Sequence, residues 1–267
     1  MRVLLRIYRA LFVADFQTAT QYRVQSLLWL LFAVIRPIVF LAAWSAAANA
    51  QGGTIGDFSV GDFAAYYVCL SLVTHLTTSW DAYDFELDVR QGKLSAKLLR
   101  PLHPLHYAVV NNLVFKVMTL PALLPALVVI AWTFQAHFQT QPWQLLVFVP
   151  SIVLAVALRF VFGWVLAALA FWTTRLHAIM HLYDRVSFIF AGQVAPLSLL
   201  PGPLAALGYA LPFAYMLWAP AEILRGGMTV EQAMGSLVGQ AVWLVLSWLA
   251  FVVVWRLGLR EFSAVGA

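Results

Sequence analysis

Long apolar runs constrain this chain more than any other feature, because several exceed the roughly 20 residues that an α-helix needs to cross a membrane. Only 10% of its 267 residues are charged, whereas soluble proteins carry about a quarter. We therefore expect an all-α membrane protein, embedded in the lipid bilayer as one domain over residues 1–267, with six transmembrane helices. The predicted spans lie near 24–49, 61–80, 107–134, 144–173, 182–198 and 234–256.

The distribution of Lys and Arg predicts the orientation of these spans. Twelve of the 16 Lys and Arg residues lie in 1–23, 81–106, 174–185 and 256–267, whereas the alternate loops hold only Arg225. Because cytoplasmic loops carry the excess of positive charge, both termini are expected in the cytoplasm. The net charge of +5 is then a topology signal, and we expect no nucleic-acid partner. The first apolar run is too long for the core of a cleaved signal peptide.

Two segments outside the spans are expected at the membrane surface. Residues 1–20 place Arg2, Arg6 and Arg9 at helical spacing beside apolar positions, which is typical of an interfacial amphipathic helix. The apolar segment 199–233 is interrupted by prolines into pieces too short to cross. It predicts a re-entrant hairpin in the outer leaflet, although an apolar lid packed on the spans fits the same residues.

Four polar residues within the spans are candidates for a pathway or a gate. Arg36 lies near mid-membrane, where an unpaired arginine costs roughly 2.5–3.5 kcal/mol, and Pro37 follows it. Thr74 and Thr77 belong to a polar patch late in the second span, and Arg159 lies deep in the fourth. Alternatively, each arginine pairs with a partner subunit or extends to the interface, and the threonine hydroxyls bond to helix carbonyls.

No motif for catalysis or nucleotide binding is complete. The stretch "QGKLS" at 91–95 is not a phosphate loop, since that motif needs glycine where Leu87 stands. His177 and His181 have the spacing of metal ligands, but the glutamate of the metalloprotease motif is replaced by Ala178. We therefore expect no metal or cofactor on this chain and no enzyme activity of its own.

The segment 81–106 concentrates charge in a chain that otherwise has little. Its first part, "DAYDFELDVRQGKLSAKLL", predicts a short amphipathic helix broken near Gly92 and ended by Pro101 and Pro104. A solvated loop would account for its bases, but not for its acids or prolines. The residues expected to pack are Leu87, Leu94, Leu98 and Leu99, and those expected to be exposed are Asp84, Glu86, Asp88, Arg90, Lys93 and Lys97.

Three stretches resemble the ATP-binding-cassette type-2 permeases: "RQGKLSAKLLRPL", "PLSLLPGPLAALGYALPFAYMLWAPAEILRGG" and the ending "WRLGLREFSAVGA". They are most similar to a branch known as a domain of unknown function in bacterial exporters, and the resemblance covers essentially the whole chain. It implies that 81–106 is a coupling helix that docks into a separate ATPase, with residues 1–20 as a connecting helix beside it. The coupling residues so implied are Asp84, Glu86, Arg90, Gly92, Lys93, Arg100 and Pro101.

The resemblance also implies partners and a location. The chain would pair with a second permease, identical or homologous, and with two copies of a nucleotide-binding subunit that carries ATP and Mg. It would act as an exporter subunit in the bacterial inner membrane. Two alternatives remain at this point: a membrane-embedded enzyme that acts on lipid through His103, His106, His177 and His181, or a non-transporting assembly factor.

Overall fold

The computed structural model describes residues 2–21, 23–173 and 176–262, and these ranges are almost entirely helical. A two-stranded antiparallel ribbon, β1 (Thr54–Ile55) and β2 (Phe58–Ser59), connects the second and third helices. The helices are α1 (Arg2–Gln21), α2 (Arg23–Ala50), α3 (Val60–Thr77), α4 (Asp81–Arg90), α5 (Lys93–Leu98), α6 (Pro104–Thr133), α7 (Pro142–Ala167), α8 (Leu176–Phe190), α9 (Gly202–Ala210), α10 (Pro212–Met216), α11 (Trp218–Arg225) and α12 (Val230–Glu261).

By length and composition, three helices in the described ranges can cross a membrane: α6, α12, and α7 together with the 3-10 turn Ala168–Phe171 that follows it. Val34–Ala50 within α2 forms a shorter apolar helix. Large apolar side chains such as Val128 and Leu146 face outward from these helices. Because a soluble protein rarely exposes such continuous apolar surface, the expectation of an all-α membrane protein is confirmed.

Two helices are shorter than the spans predicted for them. Helix α3 begins at a capping box formed by Ser59 and Asp62 and ends at Thr77, so residues 78–80 have irregular backbone. Helix α8 covers Leu176–Phe190 rather than 182–198, because the chain turns at Gly192, whose φ is 79°. Glycine adopts this left-handed conformation without the steric cost that a side chain would add.

The proline-rich region 199–233 forms short helices, as its sequence predicts. Helices α9, α10 and α11 have 9, 5 and 8 residues. Helix α11 packs on α3 and α7, and most of its side chains are buried. It ends at Gly226, whose φ is 93°, and α12 then starts at a second capping box, formed by Thr229 and Gln232.

The helices pack around two apolar clusters. The larger cluster joins α2, α3, α8 and the short helices α10 and α11. The second joins α4 and α5 to α7 and α12, and Phe85, Trp164 and Trp255 belong to it. Helix α1 is helical as predicted and packs on α6, where the Tyr8 hydroxyl lies 2.6 Å from Nδ1 of His106.

Candidate functional site

A cavity of about 580 Å³ lies among α2, α3, α6, α7 and α8. It extends to Trp80 and Tyr83, where the chain passes from α3 into α4. Three of the four residues predicted for a pathway or gate, Arg36, Thr74 and Arg159, line this one cavity. They come from three different helices, so the sequence identified residues that the fold brings together.

The fourth predicted residue, Thr77, lies behind the cavity wall as a partner of Arg159. The Arg159 guanidinium donates to Oγ1 of Thr77 at 2.8 Å and lies 3.5 Å from the Thr74 carbonyl oxygen. The Thr77 hydroxyl in turn donates to the Val73 carbonyl oxygen at 2.9 Å, as the alternative from sequence anticipated for these threonines. Arg159 thus lies at the carboxyl end of α3, where the helix dipole favours positive charge.

Lys116 fixes the irregular segment that follows α3, and sequence reasoning assigned it no role. Its ammonium group donates to the Thr78 carbonyl oxygen at 3.1 Å and to Oδ1 of Asn112 at 3.2 Å. The Asn112 amide donates to the Ser79 hydroxyl at 3.2 Å. The last carbonyl groups of a helix lack partners within the helix and need donors of this kind. A lysine within the apolar helix α6 is costly unless it has a partner, and this is the sequence signal that could have pointed to the contact.

Arg36 lies in the middle of α2, and its side chain is exposed at the surface of this chain. Its guanidinium carbon lies 5.3 Å from the centroid of the Phe188 ring on α8. Pro37 is also inside α2 and lines the same cavity. The cavity side of α2 therefore presents a cation beside an aromatic face, a contact that is favourable for arginine.

The charged segment forms two helices, α4 and α5, separated by Gly92 as predicted. Gly92 has a φ of 69°, a conformation that side-chain-bearing residues rarely adopt. The predicted exposure was wrong at three positions: Glu86 is only 2% exposed, whereas Leu87 and Leu99 are 48% and 89% exposed. Helix α4 turns Glu86 inward and Leu87 outward, because it packs on the other helices through an aromatic side chain next to Glu86. The prediction had assigned the packing to leucines alone.

That aromatic side chain is Phe85, which anchors α4 to the membrane helices. Its ring centroid lies 5.2 Å from that of Trp164 on α7 and 5.5 Å from that of Trp255 on α12. Trp164 also lines the cavity. The aromatic contact therefore connects the charged helices directly to a cavity wall.

Glu86 connects the same segment to α8. Its Oε2 lies 2.6 Å from Nδ1 of His177, and its Oε1 lies 3.6 Å from the Arg90 guanidinium. A second contact runs in parallel, since the Tyr83 hydroxyl donates to Oδ2 of Asp184 at 3.1 Å. Burial, and then the Asp184 carboxylate, raise the pKa of Tyr83 to about 12, so this phenol remains a donor at neutral pH.

The other predicted coupling residues form the outward side of α4 and α5. Lys97 forms an ion pair with Asp88, which holds α5 against α4. Leu94 is fully buried and Leu98 is partly buried, as expected. The exposed residues of this outward side are Asp84, Arg90, Lys93, Leu99, Arg100 and Pro101.

A buried charge cluster at the opposite end of α3 was missed by the sequence reasoning. Arg225 of α11 donates to Oε2 of Glu222 at 2.7 Å and lies 4.0 Å from Oδ1 of Asp62 on α3. Its guanidinium carbon lies 4.7 Å from the Phe58 ring centroid. The i, i+3 spacing of Glu222 and Arg225 was visible in the sequence, but the distant carboxylate of Asp62 was not.

The four histidines of the lipid-enzyme alternative do not form one site. His103 caps α6 through the Leu105 amide, His106 contacts Tyr8, His177 contacts Glu86, and His181 lines the cavity. Burial, and then the neighbouring His106, lower the pKa of His103. No group of three metal-ligating side chains occurs among the residues that the structure describes.

A family model described as ABC-2 family transporter protein matches residues 33–266. No curated protein matches the chain. The family match therefore covers the cavity, both charged helices and the proline-broken region.

Proposed function

Because the chain belongs to the ABC-2 family of transporter proteins, we propose that it is the permease subunit of an exporter whose ATP hydrolysis takes place on a separate subunit. The complex would contain two copies of that ATPase, with bound ATP and Mg, and one of them would dock on the outward side of α4 and α5 of this chain. A second permease, identical or homologous, would complete the translocation pathway. The cavity bordered by Arg36, Thr74 and Arg159 would be this chain's part of the pathway.

The contact between Glu86 and His177 is the observation that carries this proposal. Helix α4 faces outward with charged and apolar side chains, while Glu86 and Phe85 attach its inner side to α8 and α7. Both of those helices line the cavity. A displacement of α4 by closure of the ATPase pair would therefore move two cavity walls, which is how binding energy at one site changes the conformation of another.

The membrane arrangement is part of the same proposal. Six spans, supplied by α2, α3, α6, α7, α8 and α12, would place both termini in the cytoplasm of a bacterial cell. Helix α1 would lie in the inner interface, and α9 to α11 would dip into the outer leaflet. The charge asymmetry supports this orientation, because Arg225 is the only cation between the spans on the side assigned to the exterior.

The test is affinity purification of the chain in mild detergent after co-expression with its genomic neighbours, followed by subunit identification and an ATP hydrolysis assay. Recovery of an ATPase with hydrolysis in the complex is the expected result. In a control preparation, the lysine in the phosphate loop of the ATPase is replaced. The complex should still form, but it should no longer hydrolyse ATP. A chain that purifies without any ATPase would overturn the proposal.

A further inference from the structure

We propose that the cavity binds an amphipathic anion, meaning a molecule with a negatively charged group attached to an apolar or aromatic body. The inference rests on the proposed function, and it specifies the substrate class of that same cavity. It is carried by three features: the charges that line the cavity, the partners of those charges, and the apolar surface beside them.

Positive charge predominates in the cavity lining. Among the lining residues that the structure describes, Arg36, Arg159 and Arg185 stand against the single carboxylate of Asp184. Asp184 lies at the α4 end, where it accepts the hydroxyl hydrogen of Tyr83. A bound cation would meet this excess of guanidinium groups, whereas an anion would be attracted to it.

Two of these guanidinium groups have no carboxylate partner in the described residues. The ion pairs of that part of the chain involve Arg90, Lys97, His177 and Arg225, and none involves Arg36 or Arg159. Arg159 bonds to a hydroxyl and approaches a carbonyl oxygen, and Arg36 lies beside the Phe188 ring. Both guanidinium groups therefore have donors left for an acidic group.

The rest of the lining suits an apolar body. Phe40, Phe115, Trp164 and Phe188 contribute aromatic surface from four different helices. The volume of about 580 Å³ lies within the roughly 300–1,000 Å³ of cavities that hold drug-sized molecules. An aromatic cavity can also bind a cation through its ring faces, but at Phe188 the ring already contacts Arg36, whose positive charge would repel a second cation.

The experiment measures binding of two matched fluorescent probes to the intact complex in phosphatidylcholine nanodiscs. Anilinonaphthalene sulfonate carries the anion, and N-phenylnaphthylamine is the same ring system without the sulfonate. Energy transfer from tryptophan to the probe, corrected with empty nanodiscs, gives each affinity. The wild-type complex should bind the sulfonate about tenfold more tightly than the neutral probe, since a charge-assisted hydrogen bond is lost in the latter.

Substitution separates a cavity effect from a general charge effect. Arg36→Gln should weaken sulfonate binding about tenfold and leave the neutral probe unchanged, because the exposed side chain of Arg36 can be replaced without disturbing the packing. Arg159→Gln should have the same effect and Arg159→Lys a smaller one. Arg256→Gln, an exposed position of α12 outside the cavity, is the matched control and should change neither affinity.

The source of the natural anion is distinguished by repeating the titration in nanodiscs that contain phosphatidylglycerol. Loss of sulfonate binding to the wild type would identify an anionic lipid headgroup, whereas unchanged binding would identify a solute. Equal affinities of both probes for the wild type and for Arg36→Gln would overturn the proposal. If the complex with equal probe affinities still contains its ATPase and hydrolyses ATP, the proposed permease function is retained and only the proposed substrate class is wrong.

Discussion

Glu86 and His177 lie 91 residues apart in the sequence, and their side chains meet at 2.6 Å where α4 packs near α8. The carboxylate is almost completely buried, whereas the histidine is more than half exposed. Because Glu86 is buried, removing His177 would leave its carboxylate without this compensation, which is costly for a buried charged group. The contact is therefore a specific attachment between the charged helices and a cavity wall.

Leu99 is predicted to contact the ATPase, because it is 89% exposed and belongs to the outward side of α4 and α5 on which the ATPase is proposed to dock. A photo-crosslinking amino acid incorporated at Leu99 should form a covalent product with the ATPase upon illumination of the complex. The matched control is Val230, which is 58% exposed at the start of α12. Crosslinks to the ATPase from Val230 rather than Leu99 would place the docking surface elsewhere.

Arg225 is predicted to hold α11 on α3. Arg225→Gln leaves Glu222 and Asp62 as buried carboxylates without a counter-ion, so we expect a loss of about 3 kcal/mol in the free energy of unfolding. Thermal unfolding of the purified chain, followed by tryptophan fluorescence, measures the change. Arg225→Lys should lose less stability, and the exposed control Arg9→Gln should lose almost none. A Tm equal to that of the wild type would show that the cluster does not stabilise the fold.

Gly258 is predicted to be required for the packing of α12 beside the charged helices. A Cβ atom at Gly258 would overlap the ring of Phe171, which itself packs on Phe85. Gly258→Ala should therefore destabilise the chain by about 1–3 kcal/mol, the usual cost of overpacking. Gly235 is the matched control in the same helix, because a Cβ there meets no atom within 4 Å.

The expected outcome at Gly235→Ala is a small gain in stability of about 0.5–1 kcal/mol, since alanine is the better helix former. Both variants can be compared by thermal unfolding in the same detergent. Equal Tm values for the two variants would contradict the packing described for Phe171.

The proposed orientation predicts that Gln51, which is exposed after α2, faces the cell exterior. In a Cys69→Ala background, Gln51→Cys should react with a membrane-impermeant maleimide in intact spheroplasts. The buried Cys69 of the wild type should not react, which supplies the background signal. Reaction at Gln51 only after permeabilisation would invert the proposed topology.

Local signals in the sequence predicted much of the fold. The prolines predicted the short helices of 199–233, because proline cannot continue a helix. Gly92 predicted the break between α4 and α5, because glycine readily adopts a left-handed backbone conformation. The cost of a charge in an apolar span identified Arg36 and Arg159, which line the cavity. Their common cavity was not predicted, since it depends on how separate helices pack.

The inward side of α4 could not be predicted from amphipathicity. Glu86 is a charged residue that a helical pattern assigns to solvent, and its burial depends on His177 from a distant part of the chain. Leu99 was assigned to packing because it is apolar, although the fold leaves it outside. Both errors have the same cause. The order of polar and apolar residues along a short helix does not show which distant residues will pack against it, and these residues decide which side is buried.

The most direct test of the account is whether nucleotide binding changes the cavity through Glu86. Gly163 lines the cavity and has no atom within 4 Å of an added Cβ, so Gly163→Cys in the Cys69→Ala background introduces a reporter thiol without a clash. The measurement is the rate of maleimide reaction in the complex with and without trapping by ATP and vanadate. Glu231→Gln, at an exposed acid in the first turn of α12, is the control.

We expect trapping to change the reaction rate several-fold in the wild type and in the control. We expect Glu86→Gln to reduce this change while the complex continues to hydrolyse ATP, because the contacts of Phe85 and Tyr83 with the cavity walls remain. The same trapping-dependent change in Glu86→Gln as in the wild type would contradict the claim that the charged helices move the cavity walls through this contact.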